Sequence, residues 1–144
     1  MPMPAKHAVM EQLLLESKGM TGRLKEISPW LNYEKSAWAK ADGSGNFGWE
    51  EMPYWLKGYG DLGYVLKDAE IIEETKKWIN AVLKTQREDG YFGPRSSLTS
   101  LKGNPDLWPH MLINNILQSW FEYSGDDQVI PFMLRYHKWL QSQP

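Results

Sequence analysis

The sequence predicts an all-α fold of tandem helical hairpins. Three observations carry this: helical apolar periodicity in two long segments, start and stop signals at their ends, and an internal repeat at an offset of 58 residues. The repeat unit is an inner apolar helix, a short Asp-capped turn, an outer amphipathic helix and a loop. That unit is the building block of an α/α toroid or solenoid.

The elements follow in chain order. From about Lys6 to Met20, Val9, Leu13, Leu14 and Ser17 share one face, which reads as an outer-type helix. From Thr21 to Met52, Pro, Gly, Ser and Trp predict a long loop with a turn or two of helix. Pro53 to Leu66 is an apolar inner helix. Asp68 to Gln86 places Ile71, Ile72, Thr75, Trp78, Ile79, Val82 and Leu83 at helical spacing, with Glu70, Glu73, Glu74, Lys76, Lys77 and Lys84 opposite. Asp68 is a good N-cap for it, and Asp89-Gly90 follows as a stop signal. Arg87 to Asp106 is a second long connection, and loops of that length in a compact domain tend to be functional. Leu107 to Ser124 is apolar around most of its circumference, so it belongs inside. After Gly125-Asp126, Val129, Ile130, Phe132, Met133, Tyr136, Trp139 and Leu140 recur at three and four, and Pro131 is tolerated in the first turn. Asp68, Ile71, Ile72, Trp78 and Val82 reappear as Asp126, Val129, Ile130, Tyr136 and Leu140.

The 144 residues are expected to form a single all-α domain, residues 1–144. Six such repeats would need on the order of 350 residues. The chain is therefore expected to be the N-terminal part of a larger toroid. Otherwise its open helical ends would be covered by a partner or a second copy in a homo-oligomer.

Composition excludes several classes of function. A net charge of −2 with both signs dispersed offers no basic stripe for nucleic acid. There is no cysteine, so thiolate nucleophiles, disulfides and Cys-containing zinc sites are excluded within this stretch. Apolar runs such as Leu13-Leu14-Leu15 are too short for a membrane span or an intact secretory signal. The expectation is a soluble chain with no membrane partner, periplasmic or secreted if a signal has been removed. Eight Trp, seven Tyr and four Phe have two explanations: a thick helical core, or a cleft whose flat aromatic faces pack on sugar rings.

The densest polar-aromatic cluster is Trp49-Glu50-Glu51-Met52-Pro53-Tyr54-Trp55, at the start of the first inner helix. Its carboxylates would sit near the positive end of a helix dipole; the competing reading makes Glu50 or Glu51 a cap and the Trp residues core. Asp106-Leu107-Trp108-Pro109-His110 repeats the chemistry at the second inner helix, so both junctions would line the same end of a toroid. Asn114-Asn115 lies mid-helix, where a buried amide needs a partner or a wet cavity, and Asn115 shares a face with Trp108. His7, His110 and His137 are not spaced for a metal site, although His110 could face a cleft. Gly43-Ser44-Gly45-Asn46-Phe47-Gly48 fits G-x-G-x-x-G but lacks the strand and helix of a dinucleotide fold, so it reads as loop.

These runs resemble glycoside hydrolase family 127, the β-L-arabinofuranosidase-like group. Trp49 to Gly58 is similar to its W-E-R-G-P-Y-Y/W-L-D-G run, and Leu62 to Asp68 to its L-A-Y-L-L-D-D. Gln86 to Pro94 resembles Q-x-x-D-G-Y/W-F/L-G-P, Asp106-Leu107-Trp108-Pro109 resembles D-x-W-P, and Tyr123 to Phe132 resembles Y-x-x-T-G-D…V-I-P-F. Gly19-Met20-Thr21-Gly22 looks like G-L-T-G. The resemblance implies part of an (α/α)6 toroid and cleavage of arabinofuranosides. In relatives it also implies a zinc-bound cysteine nucleophile with glutamates, in a later part of the barrel. It implies sugar contacts from Glu50, Tyr54, Trp55, Asp106 and Trp108; Trp49, His110 and Asn115 join them on position, and Glu50 is the candidate catalytic acid. Glu51 stands where the family has Arg, so no role passes to it. No metal ligand or cofactor is expected within this chain, zinc belonging to full-length relatives.

Two function classes follow: a glycoside hydrolase acting on a plant-type or other glycan, this chain supplying part of the cleft, or a non-catalytic helical-repeat module binding carbohydrate or protein.

Overall fold

The computed structural model describes residues 4–45 and 47–144, the side chains of residues 4–7 excepted. His7 and Asn46 therefore lie outside the described side chains. The chain is all-α: α1 (Pro4–Lys18), α2 (Met20–Ile27), α3 (Glu51–Leu66), α4 (Ala69–Lys84), α5 (Trp108–Ser124) and α6 (Val129–Gln141). Short 3₁₀ turns occupy Pro29–Leu31, Tyr33–Lys35 and Arg95–Leu98.

Helices α3/α4 and α5/α6 are the two hairpins of the repeat, and α3 packs most extensively on α5, so the apolar helices are the inner pair. Both hairpins turn through a left-handed residue, Lys67 at φ 54° and Gly125 at φ 67°, again 58 positions apart. That conformation ends a helix by turning its last amides back onto the final turn. Asp68 then caps α4 by accepting the Ile71 N–H at 3.1 Å.

One continuous core joins the hairpins. Trp55, Leu56 and Tyr59 of α3, Trp78 and Val82 of α4, Ile113 and Leu117 of α5, and Phe132 and Tyr136 of α6 meet Trp38, Tyr91 and Phe92 from the loops. Burying each large side chain stabilises by about 1.5–3 kcal/mol. Five of the eight Trp (38, 55, 78, 120 and 139) are buried, so the core explanation takes most of the aromatic excess. Trp49 is half-buried, and Trp30 and Trp108 are exposed.

The structure fills in two points the sequence left open and corrects two local readings. The turn or two of helix expected in the Thr21–Met52 stretch is α2, eight residues at its start. That helix and α3 provide the packing partners of α1. On α1 itself only Leu13 and Ser17 of the expected face are partly covered; Val9 and Leu14 are exposed. Asp126 is not the N-cap of α6, because that position is Gln128. Its carboxylate instead accepts Trp120 Nε1 and the Gln128 N–H, each at 3.0 Å. Burial pushes the Asp126 carboxyl up, but those hydrogen bonds outweigh it and hold it below the usual carboxylate range.

The long connection after α4 is ordered by a few buried partners. Thr85 Oγ1 accepts the Gly93 N–H at 2.8 Å, and the Arg95 guanidinium donates to the carbonyls of Gly93 and Thr85, both at 2.9 Å. Gln86 Nε2 donates to Gly90 O at 3.0 Å and to Phe132 O at 2.9 Å, while its Oε1 accepts Arg135 Nε at 2.8 Å. These bonds tie the loop between the hairpins to both of them, which fixes the entrance of α5 against that of α3.

Candidate functional site

The two inner-helix entrances lie together. Trp108 Nε1 donates to the Tyr54 hydroxyl at 2.9 Å, joining the first turn of α5 to that of α3. Both residues are about half exposed, at 51% and 48%. Beside them Trp49 and Asp106 line one cavity of about 110 Å³, with Ser96, Ser97 and Ser100 completing its wall.

Each lining group is held from behind. The Trp49 carbonyl accepts the indole N–H of fully buried Trp38 at 2.8 Å, which pins the loop leading into α3. The Asp106 N–H donates to Ser97 O at 2.7 Å, and Asp106 Oδ1 accepts the Trp108 N–H at 3.1 Å. Asp106 thus tethers the serine-bearing loop and caps the first amide of α5 at once. Ser96 Oγ donates to Gly45 O at 3.2 Å, closing the loop against the Gly43–Gly48 turn.

The other expected residues separate from this group. Glu50 is half-buried at the α3 start and makes no capping bond, so its carboxylate is not spent on the helix, yet it is not on the cavity wall. Trp55 is a core residue: it stacks on Tyr59 with ring centroids 4.5 Å apart and donates Nε1 to Thr21 O, leaving no face for a sugar. His110 is also core, with no exposed surface. Its Nε2 lies 2.8 Å from the Phe92 carbonyl, which can only accept, so Nε2 carries the proton. Burial, only partly offset by that carbonyl and by Asp106, lowers the imidazole pKa from 6.5 to about 4 and keeps it neutral. Asn115 is exposed on the Trp108 stripe, two turns along α5 and off the cavity wall. Its neighbour Asn114 keeps a buried Oδ1 that no described residue answers. His137 lies on the outer surface and contacts the Met133 carbonyl at 2.8 Å.

The three serines were not singled out from the sequence. The signal available was the length of the Arg87–Asp106 connection and its run of small polar residues, which locates a loop without saying what it faces.

With this geometry in hand, comparison with protein families decides the class. The model described as "Beta-L-arabinofuranosidase, GH127 catalytic domain" matches residues 6–144. The chain belongs to glycoside hydrolase family 127. Neither the curated proteins nor the solved structures gave a match. The catalytic domain of the family 127 enzymes is an (α/α)6 toroid, and the tandem hairpins of this chain are helical units of that fold. A zinc site does not fit the family 127 residues present here: there is no cysteine, and among the described residues no three His, Asp or Glu side chains gather. No described helix is long and apolar enough to cross a membrane.

Proposed function

We propose that this family 127 chain supplies one wall of the sugar cleft of a glycoside hydrolase acting on arabinofuranosides. Trp49 packs against the apolar face of the ring, and Asp106 accepts its hydroxyls. The Tyr54–Trp108 pair extends the aromatic surface along the two helix starts. The observation that supports this most is that Trp49 and Asp106, 57 residues apart, line one cavity with hydroxyl-bearing neighbours.

Glycoside cleavage passes through an oxocarbenium-like transition state served by a proton donor and by a base or nucleophile. Glu50, next in the chain to Trp49 and free of capping duty, is the carboxylate we assign to the reaction, acting from beside the cavity rather than from its wall. Asp106 is assigned to binding, since it already holds Trp108. Turnover of a chromogenic β-L-arabinofuranoside by the enzyme tests this: Trp49→Ala should raise KM, and Glu50→Gln should lower kcat. Unchanged kinetics in both variants would refute the assignment. Sugar binding with no turnover in any form of the protein would favour the non-catalytic module.

A further inference from the structure

A groove between the two outer helices lies apart from the cleft. It runs from the last turn of α4 to the first turns of α6, as two adjoining hollows of about 350 and 270 Å³ that share Leu83 and Gln128. Asn80 and Lys84 line the first, and Pro131 and Arg135 line the second. None of these residues lines the Trp49–Asp106 cavity. The charge of the groove is one-sided: each hollow carries one cation, and among the described residues no carboxylate lines either. Lys84 and Arg135 are both exposed and enter no ion pair among the described residues. Asp126, on the turn beside Gln128, is already committed to Trp120 Nε1 and the Gln128 N–H.

The Arg135 guanidinium is also held in place. Its Nε donates to Gln86 Oε1 at 2.8 Å, and Gln86 is fixed in turn by its bonds to Gly90 O and Phe132 O. The two Nη groups, the end of the fork that matches a carboxylate, stay available. We infer that this groove is a second, non-catalytic carbohydrate site that holds an acidic glycan segment, with uronate carboxylates on Arg135 and Lys84. Cations in successive hollows fit charges spaced along a polymer, whereas one small anion engages a single cation and leaves the other idle. Asn80 and Gln128 bring amide groups for the hydroxyls between the charges, and Leu83 and Pro131 bring apolar surface for the C–H faces of the rings. An acidic peptide carries the same charge with few hydroxyls, so the amides favour the sugar. Because Gln86 orders the guanidinium beforehand, binding loses less side-chain entropy. The inference goes beyond the cleft reading and does not rest on it.

Calorimetric titration of the protein with oligogalacturonate, and with the same oligomer fully methyl-esterified, tests this. The acid form should bind at least about tenfold tighter, and added salt should weaken it because both cations are exposed. Lys84→Gln and Arg135→Gln should each weaken the acid form several-fold with melts close to wild type, and the double variant should bind acid and ester alike. Arg135→Lys, which keeps the charge without the fork, should fall between wild type and Arg135→Gln. Trp49→Ala should bind the acid form as wild type does. Equal affinity for acid and ester in the wild-type protein overturns the inference, as does a double variant that keeps the preference. Tighter binding of poly-glutamate than of oligogalacturonate also overturns it and gives the groove to an acidic peptide. A loss in Trp49→Ala with the double variant unaffected places the acid glycan in the cleft and removes the second site.

Discussion

Gly93→Ala is the sharpest test of how the core holds the site. Gly93 has φ +83°, and a Cβ there would lie 2.3 Å from Trp38 Cζ3 and 2.9 Å from Cε3. Trp38 cannot retreat easily, because it is fully buried and its indole N–H is bonded to Trp49 O at 2.8 Å. The left-handed backbone costs a non-glycine residue about 1–2 kcal/mol. Overpacking of the ring adds about 1–3 kcal/mol. For a chain of this length a loss of about 3 kcal/mol lowers Tm by about 10–15 °C. Gly103→Ala is the control: its φ is +89°, with nothing within 4 Å of the added Cβ, so only the backbone cost applies. Circular dichroism melts at 222 nm should show the Gly93 variant falling clearly further. Equal falls in the two variants would refute the packing argument.

Other perturbations follow from the same contacts. His110 titrates at about 4 in the folded chain against 6.5 unfolded, so the unfolded state binds the extra proton as pH falls. Its contribution, about 3 kcal/mol at about 1.4 kcal/mol per pH unit, is complete above pH 6.5 and lost on descending to pH 4. Denaturant midpoints across that window should fall, and His110→Gln should flatten that part of the slope. Gln86→Ala removes two bonds to α6 and a third to Gly90 O within the connection, and should cost about 2–3 kcal/mol in urea unfolding. Lys67→Gly relieves a left-handed lysine whose repeat counterpart is Gly125, and should raise stability by about 0.5–1 kcal/mol. Tyr54→Phe loses the bond from Trp108 at an exposed position, so the melt should move by less than about 1 kcal/mol while KM rises.

The hairpins were legible because their signals are long and redundant. The Asp68 cap, the Ile71–Trp78–Val82 spacing and the Asp89-Gly90 stop all point the same way, and the repeat supports them. The turn or two of helix that α2 provides was expected but not located within Thr21–Met52, because two turns beginning in Gly-Met-Thr-Gly carry too little periodicity to place it. Asp126 misled as a cap because an Asp two residues earlier than the N-cap can still bond a backbone amide, here that of Gln128. At the site, the sequence located both helix entrances but could not say which side of each side chain faces inward. Trp55 and His110 share junctions with Trp49 and Trp108, yet one turn of helix carries them into the core. The serines came from tertiary closure, through Asp106 N–H on Ser97 O, which no local pattern encodes.

The account stands most directly on the sugar's address. In a ¹H–¹⁵N spectrum of the indole groups, adding methyl β-L-arabinofuranoside should shift the signals of Trp49 and Trp108. The signals of Trp78 and Trp120, bonded to Glu74 and Asp126 away from the cavity, should hold still. Saturable shifts confined to Trp78, Trp120 or Trp30, with Trp49 and Trp108 unmoved, would contradict it.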